Sequence, residues 1–241
     1  MPDAKQVART ALAALVAEFE ELDRAALTAE ESEATARSWV EKLLAVFGWN
    51  PADPRQVRQE YTIRGREARR LRHEGTTHRR PDYALKVGGE RILYLDAKRF
   101  DVSIEDDEAV AFQVRSYGWS AGFVVSYACD FEELAIWDCR HTPKAHDDAR
   151  VARIDYLHYS KYVERFDFLW DYLGRKAAPK SFSTERTATS RARRSTRLQP
   201  RRPSRHRSST AAPGRSTNPT CSRSTRVSRS ATKPSATTRS W

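Results

Sequence analysis

Two acids and a lysine, Asp82, Asp96 and Lys98, have the types and spacing that hydrolysis of a phosphodiester needs. Pro81-Asp82 opens one strand-like run, and fourteen residues later a second run delivers Asp96-Ala97-Lys98. Strand side chains alternate faces, so Asp96 and Lys98 point the same way. Gly88-Gly89 between the runs is a hairpin signal, and folding 82–87 back on 91–97 brings Asp82 beside them. Adjacent carboxylates repel unless a cation lies between them. Mg²⁺, with Mn²⁺ as its substitute, favours one or two carboxylates plus water and phosphate oxygens. Such an ion lowers the pKa of a neighbouring water and screens charge building on a phosphate, while a lysine can orient that water and stabilise the same charge. The bland alternative makes Asp82 a turn residue after Pro81 and Lys98 the solvated end of a strand. Against it, Ile92-Leu93-Tyr94-Leu95 reads as a buried strand, and an aspartate continuing such a strand needs a partner.

The elements that position these residues are legible in outline. Thr28 and Glu31 stand at capping-box spacing and Gly48 is a stop, which predicts a helix over roughly 29–47 with Val40, Leu43, Leu44 and Phe47 as its buried stripe. Glu33 lies two turns before Val40 on nearly the same face, so it either reaches the acidic site or pairs with Arg37 one turn on. Glu60, in the strand-like segment 57–63, competes for the same place. A helix beginning at Ser103, acidic in its first turn, carries Gln113 and Tyr117 at i and i+4. Strands follow at 121–127 and 134–138. The order helix, strand, strand, strand, helix, strand, strand predicts an α/β domain with a mixed central sheet. An earlier helix over about 4–26, with Leu12, Leu15, Val16, Phe19 and Leu22 on one face, should pack on that domain or on a partner.

These segments together resemble the PD-(D/E)xK nuclease superfamily. More narrowly they resemble the N-terminal nuclease domain of restriction enzymes, the type I R subunit and the fused type II restriction-methylation proteins. The likeness runs from about residue 30 to 175 and is carried by SEATARSWVEKLLAVFGW, EYTIRG, RPDYAL, LDAKRF, FQVRSYGW and SYACDFEELAIWD. It implies a restriction-endonuclease-like core: a mixed sheet flanked by helices. It also implies a Mg²⁺-dependent endonuclease of a restriction-modification system, with DNA as substrate and methyltransferase, specificity or helicase components as partners. Asp82, Asp96 and the backbone carbonyl of Ala97 would hold the metal. Lys98 would position water, Glu33 would be the acid of the first core helix, and Gln113 with Tyr117 would form a QxxxY element beside the scissile phosphate. The sequence departs from the fuller pattern: neither helicase motifs nor the Asn-Pro-Pro-Tyr motif of an amino-methyltransferase is present. A non-cleaving DNA-binding or interaction remnant of a truncated restriction enzyme is therefore the competing expectation.

Charge needs to be read by region. The 241 residues carry a net charge of +11, but residues 183–241 hold 15 Lys+Arg and one acid, which leaves 28 bases against 31 acids in 1–182. The expected organisation is an N-terminal helix (1–27), a nuclease domain (28–182) and a disordered Arg/Ser/Thr-rich tail (183–241) too poor in aliphatic residues to repay its ordering entropy. The abrupt loss of acids and the Arg-for-Lys bias are what a frameshift in GC-rich coding DNA produces, with a nucleic-acid-binding arm as the other reading of the tail. In the domain itself, Arg66, Arg69, Arg70, Arg79 and Arg80 crowd a predicted loop just before Asp82, where they are expected to hold DNA phosphates. Cys129, Cys139 and Cys221 are too widely spaced for a CxxC metal site, and no segment suggests a signal peptide or membrane span, so a cytoplasmic protein with reduced thiols is expected. His141 and His146 beside Asp147 and Asp148 read as a solvated loop rather than a zinc site.

Overall fold

Apolar residues at helical spacing make α1 (Ala4–Glu20) and α2 (Ser32–Val46), and both lay their buried stripes against one side of a sheet. The structure is a computed structural model, in which residues 3–22, 32–73 and 80–177 are described. The proposed cap at Thr28–Glu31, the end of the predicted 4–26 helix, Arg79, Cys221 and the tail 183–241 all lie outside them. After α2 the chain forms β1 (Val57–Gln59), α3 (Gly65–His73), β2 (Tyr83–Val87), β3 (Glu90–Ala97), α4 (Glu108–Ala121), β4 (Val125–Cys129), β5 (Glu133–Asp138), β6 (Arg153–His158) and α5 (Phe166–Leu173). The six strands lie in sequence order, with β3 and β4 parallel and every other pair antiparallel. The fold is α/β with a mixed sheet, as the patterning predicts. Among the described residues no helix is long and apolar enough to cross a membrane.

Alternation along the strands decides which helices cover which face. Tyr83, Leu85, Leu93, Leu95, Val125 and Tyr127 point into the apolar cluster shared with α1, α2 and α5. Their neighbours Ala84, Tyr94 and Ala128 point the other way, towards α3 and α4. The parallel pair β3–β4 needs a crossover connection, and α4 supplies it. Asp107 caps α4, its carboxylate accepting from the N–H groups of Ala109 and Val110, and Gly122 closes the helix at φ +74°. Gly118 lets α4 sit close to the sheet: a Cβ there would come within 2.3 Å of Ser126 Oγ. Gly88 and Gly89, at φ +61° and +85°, make the tight β2–β3 turn that their pairing predicts.

Several boundaries differ from the sequence reading. The segment 57–63 is a strand only to Gln59; Glu60 turns to φ +46°, with its N–H still donating to the Asp82 carbonyl at 2.7 Å. The Arg-rich stretch read as a loop is the helix α3, since Ala68 and Leu71 have a place to bury against Ile63, Tyr94 and Tyr117. The helix expected from Ser103 starts at Glu108, and its extension through Ala121 moves the next strand from 121–127 to Val125–Cys129. Neither β6 nor α5 was expected.

Candidate functional site

Asp82 stands just before β2 and Asp96 next to last in β3. Tyr83 pairs with Leu95, so one further step of the same antiparallel register sets Asp82 opposite Asp96. Both fall on the α4 side of the sheet, by alternation from Ala84 and Tyr94. Asp96 is 4% exposed. A charge that deep requires a partner, and Lys98 Nζ supplies it at 2.7 Å from Oδ2. The same ammonium donates to Gln113 Oε1 at 2.9 Å, and Gln113 Nε2 donates to the Tyr117 hydroxyl at 3.0 Å. A chain of hydrogen bonds thus runs from the end of β3 along one turn of α4.

Asp82 is held from two directions. Its Oδ2 accepts from the N–H of Ala97 at 2.8 Å, and its Oδ1 accepts from Nη2 of Arg37 on α2. Burial, followed by the charge of Asp96, pushes the Asp82 carboxyl up from 3.8 to about 6, against the opposing pull of Arg37, Ala97 N–H and Lys98. Burial likewise drives the Tyr117 phenol well above its ordinary range, with the Asp96 charge adding to it, so Tyr117 serves as a neutral hydrogen-bonding hydroxyl. Asp82, Asp96, Ala97, Lys98 and Gln113 line an open cleft of about 500 Å³ together with Glu33, Arg80, Arg99 and Val102.

The residues singled out from sequence divide into those the fold gathers and those it places elsewhere. Glu33 is among the residues lining the cleft and pairs with Arg37 at 3.0 Å. Its competitor Glu60 reaches Arg37 at 3.6 Å and is also bonded by Arg80, away from the cleft wall. Arg80 is at the mouth of the cleft. Arg66, Arg69 and Arg70 are exposed on α3, and Arg70 donates to the Ser120 carbonyl at 3.3 Å while lying over Trp119. Tyr117, expected to touch DNA, is 1% exposed and packed with Tyr94; a hydroxyl so placed orients Gln113 instead. Sequence reasoning treated Arg37 only as a partner for Glu33. Its contact with Asp82 spans 45 positions, and no local spacing signals it.

The donor set suits a hard divalent ion. Asp82, Asp96 and the peptide at Ala97 offer oxygens only, with water access through the cleft. Among the described residues no three His, Cys, Asp or Glu side chains gather into a group that could hold a metal ion by themselves, His141 and His146 included. Cys129 and Cys139 are buried free thiols, and burial pushes Cys139 up to about 12, too high for a ready thiolate ligand.

Over 146 residues, 58% of the chain, the sequence is 30% identical to the type II restriction enzyme and methyltransferase RM.Eco57I of Escherichia coli. The chain is related to a restriction enzyme. The match spans 14% of the length of that curated relative. No family model matches the chain, and no solved structure matches it significantly.

Proposed function

We propose that the chain is a Mg²⁺-dependent DNA endonuclease domain of a restriction-modification system, built on the PD-(D/E)xK pattern and working beside methyltransferase, specificity or helicase components. The observation that carries this reading is the convergence of Asp82, Asp96 and Lys98 in one cleft, in a chain related to a restriction enzyme. Asp82, Asp96 and the Ala97 carbonyl would hold Mg²⁺, or Mn²⁺ in its place. When bound, the ion supplies charge screening for the scissile phosphate and makes water a better nucleophile near neutral pH.

The chain's own groups do the rest. Lys98 is fixed between Asp96 and Gln113, so its ammonium needs little reorganisation to hold a water or a non-bridging phosphate oxygen. Tyr117 fixes Gln113 in turn. Arg80 and Arg99 at the cleft, and Arg66, Arg69 and Arg70 along α3, would bind phosphates on either side of the cut, contacts that position a duplex without reading its sequence. The test is cleavage of methylation-free plasmid by the full chain in Mg²⁺ or Mn²⁺. Lys98→Ala is expected to lower the rate by about a hundredfold or more, on the scale of losing one preorganised electrostatic group. Equal cleavage by Lys98→Ala removes the lysine from the reaction.

A second reading, a DNA-binding or interaction domain that does not cut, is favoured by one contact: the Arg37 guanidinium already sits on Asp82 Oδ1. Duplex binding by a parent chain that cleaves in neither metal is the outcome that would choose it.

A further inference from the structure

Arg37 is engaged by more acids than a helix-surface arginine requires. Its Nη2 donates to Asp82 Oδ1 and forms an ion pair with Glu33 Oε1 at 3.0 Å, while Nη1 lies 3.6 Å from Glu60 Oε1. These three carboxylates come from α2, from the residue after β1 and from the residue before β2. Yet Nε of the same guanidinium is buried and has no hydrogen-bond partner among the described residues. A guanidinium presents its donors in a rigid fork, and here both terminal nitrogens face the acids while Nε is turned away from them. The triad is also uneven in exposure. The Asp82 side chain is 14% exposed, Arg37 30%, and Glu33 and Glu60 58% and 55%. The inner acid is the one read above as a metal ligand, and the outer two face water.

We infer that Arg37 is a built-in counter-ion for Asp82 that competes with a divalent cation for that carboxylate, with Glu33 and Glu60 placed to take up its charge when the cation binds. This rests on the reading of Asp82 and Asp96 as metal ligands. A guanidinium in contact with Asp82 Oδ1 repels a second cation approaching the same carboxylate, and the repulsion is strong where burial lowers the effective dielectric. Moving off Asp82 does not strand the arginine, because Glu33 and Glu60 already lie within reach of its two terminal nitrogens. The route outward is towards the exposed end of the triad. Arg37 is thus a positioning residue: it acts on metal and substrate only through Asp82.

A purely structural arginine and a competing counter-ion make opposite forecasts for metal affinity. If Arg37 merely holds Asp82 in place, removing it weakens binding. If it competes, removing its charge strengthens binding. The experiment is Mn²⁺ binding to the full chain, read from the loss of the free-ion electron paramagnetic resonance signal, for the parent, Arg37→Gln and Arg37→Lys, with circular dichroism reporting the fold. The expected result is that Arg37→Gln binds Mn²⁺ about tenfold more tightly or better, since one repelling unit charge is gone. Arg37→Lys, which keeps the charge but cannot span three carboxylates, is expected to fall between the two and is decisive if the glutamine chain does not fold. Binding by Arg37→Gln where the parent shows none is the extreme form of the same result. Equal or weaker binding by folded variants, beside a parent that binds, overturns the counter-ion alone. Absence of binding in all three chains overturns the metal-site reading, and the inference with it.

Discussion

On the α1–α2–α5 face of the sheet, strand residues meet one continuous apolar cluster that runs from Phe19 and Trp39 to Phe166 and Leu173. On the α3–α4 face the apolar residues fall into two smaller groups, one around Val110 and Trp137 and one around Tyr94 and Tyr117. Polar groups are buried on this second face: Asp96 and Ser126 on the strands, and Arg115, Ser116 and Ser120 on α4. Arg115 reaches Asp147 at 2.9 Å and ties α4 to the loop before β6. One side of the sheet therefore carries the stabilising burial, and the other holds charged groups close together. Buried charges are retained only where they are paired, and an exactingly positioned α4 keeps them so.

This contrast can be broken most forcefully on the apolar face. Phe19 is fully buried against Trp39 and Phe131, at 5.1 and 4.6 Å between ring centroids. Phe19→Ala is expected to remove about 3–5 kcal/mol of stability in urea unfolding, the usual range for a large aromatic truncated in a core. A loss under about 1 kcal/mol would show that α1 is not part of the main core.

On the other face the same kind of truncation should spare stability and affect chemistry. Gln113→Ala removes the link between Lys98 and Tyr117. It is expected to slow plasmid cleavage about 10–100-fold, the scale on which supporting groups of metal sites act, while the urea midpoint moves little. Unaltered cleavage would make the Gln113–Tyr117 pair a packing feature.

A smaller effect separates the faces by pH. The raised Asp82 carboxyl contributes stability that is fully present below 3.8 and is lost as pH rises through about 6. In chelator, Asp82→Asn should therefore gain on the parent in thermal midpoint as pH climbs from 4 to 7. Carboxylates held below their ordinary value, such as Asp138 beside Arg140, act in the opposite sense below 3.8 and cancel from this difference. Parallel curves for the two chains across that window would show that the Asp82 carboxyl is not raised.

The candidate site residues were more legible than some of the elements around them. Strand alternation and a Gly-Gly turn are local signals, and they placed Asp82, Asp96 and Lys98 together; i, i+4 spacing did the same for Gln113 and Tyr117. The helix α3 was not legible because its arginines outweigh Ala68 and Leu71, whose burial depends on tertiary neighbours. Strand β6 alternates poorly and is defined by its pairing with β5. The break in 57–63 rests on the backbone at Glu60, a positive φ that no residue type there announces. Arg37 could be found only once α2 and the start of β2 were seen side by side.

The most direct test of the central claim is a single variant read three ways. Asp96→Asn keeps the size of the side chain and removes one of the two facing carboxylate charges. For the full chain, the account predicts that cleavage and Mn²⁺ binding are both lost while the chain in chelator keeps its fold. Cleavage at the parental rate, or activity lost only together with the fold, would contradict it.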